Sequence, residues 1–387
     1  MKISLATNFD DNLIDEIKNY NVYELYGRMP YDLLSGGRPN NSINKLTKSQ
    51  FENHVKKTRA NGINFNYLFN GACTENQEQD ENWKHRFKEY VLYLKDVGVN
   101  AFTITNPHIL KLIKKIYPDA ICRVSTFACV NTLTKMKYWE KLGADIICAD
   151  FTTINRNFNL LKEIVNELKT AKVELLATNS CLKDCPLIHT HVNSISHASN
   201  MKCSEEYIDW CLHKCQYYEL CNVFEYIKSP WIRPEDVKYY ENIGIEHIKI
   251  TERDFPTDML VKRLKAYTDR SYEGNLLDLI QGHGVSHKIV NTSLVDKINL
   301  NDKNTVLNEI AKIRGFKQER TYPSHIYIDN KKLGNFLNFF VKGKCIGNCD
   351  KCGYCKQISD YSITVNQEIS SYLIELYRLL ENFMMEI

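Results

Sequence analysis

The chain has 387 residues, of which 43% are hydrophobic and 25% charged, with only 9 prolines and 16 glycines. This composition excludes disordered and fibrous classes and allows one large domain with an appendage, or two ordinary domains. A net charge of +3 is too mild to single out nucleic acid as a partner, although short basic runs such as KLIKKIYP (111–118) occur.

The opening MKISLATNFDDNLIDEIKN has no apolar stretch of signal-peptide length, and no later run reaches a membrane span. The expectation is a cytoplasmic protein without a membrane partner. In a reducing compartment the 14 cysteines are expected to serve metal binding or catalysis rather than disulfides.

Taken in chain order, eight β-branched or aromatic-rich runs predict strands: 2–8, 22–27, 65–71, 101–105, 121–126, 145–150, 173–179 and 247–253. Helical patterns fall between them at 11–19, 45–60, 82–97, 106–116, 130–142, 154–168 and 234–243, several closing on glycine before the next strand. Eight βα units within about 270 residues match a (β/α)8 TIM-type barrel better than a doubly wound sheet, and no Gly-x-Gly-x-x-Gly follows the first strand. The α/β barrel is expected over 1–275 and includes a cysteine-rich insertion, 180–232, between strands seven and eight. In such barrels the loops after strand C-termini build the active site.

The remaining 276–387 reads as a C-terminal extension. Its first part, within 272–304, is polar and reads as a linker or covering segment. At its end, Ile369, Tyr372, Leu373, Leu376, Leu379, Leu380 and Phe383 recur at helical spacing over 366–386 and predict a helix with a docking face.

Two cysteine constellations stand out. In the insertion, Cys181 and Cys185 precede Cys211 and Cys215, whose spacing of four puts both sulfurs on one helical face. These four suit one site, with Cys203 and Cys221 as substitutes. Four thiolates fit a 4Fe-4S cluster or tetrahedral zinc; the wide spacing favours the cluster. The run CIGNCDKCGYC places Cys345, Cys349, Cys352 and Cys355 within eleven residues, with Gly347 and Gly353 permitting a tight wrap. A second 4Fe-4S cluster is preferred there, with zinc the rival. Cys73, Cys122, Cys129 and Cys148, scattered through the barrel units, read as core.

Other candidates are His189 and His191, for ligation, proton transfer or substrate contact, with His197 nearby. Arg28, Lys249 and Arg253 are expected to hold an anion, with Arg233, Glu235 and Glu252 also flanking the eighth strand. Lys249 lies mid-strand and is expected to point inward, where it needs a carboxylate such as Glu252.

The stretches RVSTFACVNTLTKMKYWEKLGAD (123–145), VELLATNSCLKDCPLIHTHVNSISH (173–197) and SPWIRPEDVKYYENIGIEHIKITERDFPT (229–257) resemble the U32 peptidase (collagenase-like) family over roughly residues 1–275. The resemblance implies a barrel with a four-cysteine 4Fe-4S cluster near its mouth. It also implies kinship with oxygen-independent hydroxylases that act on ubiquinone precursors or on tRNA and ribosomal RNA bases. Cys181 and Cys185, with Cys211 and Cys215, correspond to the ligands. The cysteine spacing departs from that of the hydroxylases, and the C-terminal cysteine run is an addition.

The expected function is therefore iron-sulfur-dependent modification, most simply oxygen-independent hydroxylation, of an RNA base, a peptide or a small aromatic substrate. An electron-donor protein and a homo- or hetero-oligomer are compatible partners. The alternatives are a metal-stabilised peptidase or hydrolase, and a non-catalytic zinc-bearing RNA-binding accessory protein. No Gly-x-Ser-x-Gly, His-Glu-x-x-His or pair of carboxylates at a strand end supports proteolysis.

Overall fold

Eight short strands hydrogen-bond in parallel around a closed ring: β1 (Lys2–Ala6), β2 (Val22–Gly27), β3 (Asn64–Phe69), β4 (Ala101–Ile104), β5 (Ile121–Val124), β6 (Ile146–Cys148), β7 (Lys172–Leu176) and β8 (His247–Ile250). The ring shuts where β1 pairs with β8, Lys2 opposite His247 and Ser4 opposite Lys249. The predicted (β/α)8 barrel is therefore the observed fold. The computed structural model describes residues 1–30, 32–39, 45–199, 209–253, 255–280, 302–308 and 325–385.

Helices follow the strands: α1 (Asp11–Ile17), α2 (Lys48–Ala60), α3 (Glu81–Val97), α4 (Pro107–Ile116), α5 (Leu133–Lys141), α6 (Phe158–Glu167), α7 (Ile188–Ala198), α10 (Val237–Glu241) and α11 (Thr257–Asp269). Their starts are set by side-chain caps more than by apolar periodicity. Thr132 accepts from the Lys135 amide, so α5 begins later than the predicted 130, and Asn157 accepts from the Leu160 amide, so α6 begins later than 154. At the other end of a helix, Gly98 caps α3 with φ of 114°, a conformation a side chain would strain.

Two compact units divide the chain. One comprises 1–178, 186–208 and 231–271; the other comprises 179–185, 209–230 and 272–387. The first is the barrel. The second contains α8 (Trp210–Cys221), α9 (Glu225–Lys228), α12 (Asn338–Val341), α13 (Cys349–Cys352), α14 (Tyr354–Ser362) and α15 (Gln367–Met385). It also contains the antiparallel pair β9 (Ile326–Ile328) and β10 (Ile363–Val365).

Within this second unit the terminal helix α15 packs along α8 and buries Tyr372, Leu373, Leu376, Tyr377 and Leu380. Ile369, Leu379 and Phe383, also expected on that face, are half-buried. The hydroxyl of Tyr377 donates to Gln216 Oε1 at 2.6 Å, and Lys214 pairs with Glu381. Most of the polar stretch 272–304 lies outside the described residues. Among the described residues no helix is long and apolar enough to cross a membrane.

Candidate active site

The barrel lumen is polar in its middle. Each strand sends in one polar or sulfur-bearing side chain: Ser4, Glu24, Asn66, Thr103, Arg123, Cys148, Glu174 and Lys249, all buried. Thr103 Oγ1 donates to Asn66 Oδ1 at 3.0 Å, and Asn66 Nδ2 donates to Glu24 Oε1 at 2.8 Å. Arg123 Nη1 donates to the same Glu24 oxygen, while its Nε lies 3.3 Å from Glu174 Oε2. Ser4 Oγ donates to Glu174 Oε1 at 2.8 Å, and the Cys148 thiol shares Glu174 as a partner.

Burial opposes ionisation of Glu174, but Arg123, Lys249, His247 and Ser4 together outweigh it and hold the carboxyl below its ordinary range. Beside it, burial pushes His247 down to about 4. Two carboxylates and two cations thus share one dry layer, where breaking any one pairing leaves an uncompensated charge.

Sequence reasoning found only Lys249 among the lumen charges. The signal available was a single polar residue flanked by apolar ones inside each strand, as in VYELYG, ICRV, KVELL and HIKI. A buried barrel strand normally reads as near-continuous apolar residues, so the recurrent interruption carries the information.

The rim residues divide. Lys249 is inward, as expected, but Glu252 is not its partner: the Glu252 carboxylate accepts from Arg38 Nη2 at 2.6 Å, and Glu252 itself sits at φ of 92°. Lys249 Nζ instead stands 4.0 Å from the centroid of the Tyr26 ring. Arg253 is half-buried and close enough to Lys249 to disfavour its charge.

Arg28 is drawn into its own loop. Its Nε donates to the Met29 carbonyl at 3.0 Å and its Nη2 to the Leu34 carbonyl at 2.9 Å, with Asp32 at 3.9 Å. Its Nη1 is buried without a hydrogen-bond partner. A side chain at Gly36 would start 1.8 Å from that nitrogen, which is why glycine is required there. Arg233 is held by Asp236 in a two-pronged pair at 2.7 and 2.9 Å, and so reads as a structural clamp.

Cys181, Cys185, Cys211, Cys215 and Cys221 fall in the second unit. Asn179 Oδ1 accepts from the Cys181 amide at 2.7 Å, and Asp184 takes a positive φ of 51°, which turns the chain between Cys181 and Cys185. Cys211 and Cys215 lie on α8 as the spacing predicted, and both are buried. The loop and the helix meet: the Leu182 amide hydrogen-bonds the Cys215 sulfur. Burial first, then the charges of Asp209 and Cys185, raise the Cys211 pKa; burial, Glu219, Cys181 and Cys185 raise that of Cys215.

Electrostatic coupling of this kind places the sulfurs in one region of the second unit. Among the described residues no three or more His, Cys, Asp or Glu side chains converge as a ligand set for a single ion. In donor type and number these four sulfurs match what a 4Fe-4S cluster takes. Glu219, one turn beyond Cys215, is buried with neither carboxyl oxygen hydrogen-bonded among the described residues, and burial beside Glu225 pushes its pKa well up. It escaped sequence reasoning because a glutamate in a helix usually faces water.

In the C-terminal run, Gly347 and Gly353 both take positive φ, 76° and 64°. Cys349 and Cys352 bound the single turn of α13, and Cys345 and Cys355 flank it; all four are half-buried. Lys228, on α9 of the same unit, feels the charge of Cys349.

His189 and His191 lie two residues apart on α7 and so project from different sides of it. His189 and His197 are exposed, and His197 Nδ1 is 3.7 Å from Glu75. Cys122, Cys129 and Cys148 are buried as expected, with burial pushing Cys122 up to about 12 and Cys129 up to about 11. Cys73 is half-buried, not core. Cys221 is exposed, and Cys203 lies outside the described residues.

A family model described as peptidase family U32 matches residues 37–175. The chain is 25% identical over 323 residues to the uncharacterized protease MJ1657 of Methanocaldococcus jannaschii, covering 83% of this chain and 84% of that protein. The solved structure of the U32 peptidase Mk0906 aligns at 18% identity with a TM-score of 0.45, over 51% of this chain and 77% of the other. The chain is thus similar to peptidase family U32 over residues 37–175.

Proposed function

We propose that this protein is an iron-sulfur-dependent barrel enzyme that carries out oxygen-independent hydroxylation, or a related modification, of an RNA base, a peptide or a small aromatic substrate. One observation carries the reading. Cys181, Cys185, Cys211 and Cys215 share a single neighbourhood, with the Leu182 amide already directed at the Cys215 sulfur. Amide hydrogen bonds to sulfur are among the means by which proteins set cluster potentials.

A 4Fe-4S cluster held by these four residues would supply one-electron chemistry and polarise a bound oxygen. The chain's own residues do the rest. Arg253 offers positive charge to an acidic group of the substrate in the barrel, Lys249 stands near it, and the Glu24–Arg123–Glu174 layer fixes the lumen around them. Cys345, Cys349, Cys352 and Cys355 would hold a second centre, a cluster or zinc, that relays electrons or braces the fold.

Purification without oxygen tests this: brown protein absorbing near about 400 nm, with iron and sulfide, is expected. Colourless protein carrying zinc alone overturns it in favour of the zinc-bearing scaffold. A peptidase reading draws on the family's name and on that of the archaeal relative; it requires peptide cleavage to persist once metal has been stripped.

A further inference from the structure

Lys249 differs from the other charges in the lumen. Arg123 is paired to both carboxylates, Glu24 also accepts from Asn66, and Glu174 from Ser4. Among the described residues the Lys249 ammonium has no carboxylate within ion-pair distance and no hydrogen-bond acceptor; its contact is the face of the Tyr26 ring. The side chain is 8% exposed, so the amine is shielded without being sealed off. A lysine that serves only as a counter-ion in a dry interior sits against its carboxylate, because an unpaired ammonium there is costly.

Three further features define what this amine would meet. Burial pushes its pKa down, Glu174 and Cys148 oppose that, and Arg123 and Arg253 add to it. An amine desolvated beside other cations is the arrangement that makes lysine nucleophilic toward carbonyl carbon. Arg253, half-buried and near Lys249, brings a guanidinium to the position, which favours a ligand bearing a carboxylate.

We propose that Lys249 captures the carbonyl group of a small oxo acid as an imine inside the barrel. The neutral amine attacks the carbonyl carbon, forming the C–N bond while the π electrons pass to oxygen, and one proton moves from nitrogen to that oxygen. The resulting hydroxyl then leaves as water with the second nitrogen proton, giving C=N. Nothing is oxidised or reduced. The inference rests on reading the lumen as the substrate site, and it needs no metal at the cysteines.

The test is reductive trapping on the full-length protein with pyruvate and sodium cyanoborohydride, followed by peptide mass mapping. The expected result is a single reduced adduct at Lys249, formed at least about tenfold faster than at the exposed Lys2 and Lys172. Acetone, which has the carbonyl but no carboxylate, should react more slowly, and Lys249→Arg should lose the adduct. Trapping at Lys249 no faster than at Lys2 and Lys172, or an equal yield from Lys249→Arg, overturns the proposal.

Should Lys249→Arg not fold, wild-type protein decides. Pyruvate without reductant should protect Lys249 from an amine-acylating reagent, and lack of protection overturns the proposal equally. Because adducts are scored by mass, colourless protein that traps pyruvate would end the cluster reading alone, and iron-loaded protein that does not would end this one alone.

Discussion

The guanidinium of Arg123 and the carboxylate of Glu24 form a direct ion pair with neither side chain exposed to solvent. Glu174, on β7, shares the same guanidinium at 3.3 Å. Removing one member of such a set is far more damaging than replacing all of it, since the survivors remain buried and uncompensated. Arg123→Met should therefore destabilise the barrel by about 3–5 kcal/mol, read as a shift in the denaturant midpoint. A loss under about 1 kcal/mol would mean that water reaches the layer.

His247 ties stability to pH. Its folded pKa, about 4, lies below the ordinary 6.5, so the unfolded chain binds the proton more readily. The contribution is complete above about pH 6.5 and is lost as the pH falls toward 4, amounting to about 3 kcal/mol when fully lost. His247→Gln should flatten the stability profile between those limits while leaving the alkaline side unchanged. Parallel profiles for the two proteins would show that His247 is protonated in the folded state.

The cysteines give a separable prediction. Single Cys→Ser changes at Cys181, Cys185, Cys211 or Cys215 should each lower the bound iron and the absorption near about 400 nm, whereas the same change at Cys221 should not. Loss of iron on changing Cys221 would redraw the ligand set.

Much of the architecture is legible in the chain. All eight predicted strands exist, because short apolar runs bounded by glycine-capped helices leave little alternative to βα repetition. The glycine wrap around Cys349 and Cys352 was equally readable. Side-chain neighbourhoods were not. Lys249 was expected to need Glu252, but Glu252 is spent on Arg38, a residue in a loop with no periodic signature. Arg28 looked available for an anion, yet its Nε and Nη2 donate to carbonyls of its own loop. The Glu24–Arg123–Glu174 set joins strands up to 150 positions apart, from 24 to 174, and spacing along the chain says nothing of a contact that ring closure creates.

The terminal helix guards its neighbour. Tyr377→Phe deletes the hydroxyl that donates to Gln216 and should cost about 1 kcal/mol. Leu376→Ala, at a fully buried position, should cost about 2–5 kcal/mol. Both should speed alkylation of Cys211 and Cys215 by iodoacetamide in metal-free protein; unchanged rates would mean that α15 does not shield α8.

The second unit is assembled from segments far apart in the chain, 179–185, 209–230 and 272–387. A ribosome adding about 5–20 residues per second delivers Cys185 roughly 10–40 seconds before it delivers the end of α15. Throughout that interval α8, which carries Cys211 and Cys215, lacks the terminal helix that packs along it. Completion of the second unit thus waits until synthesis is nearly finished, and a chain cut short before α15 would leave α8 without that helix.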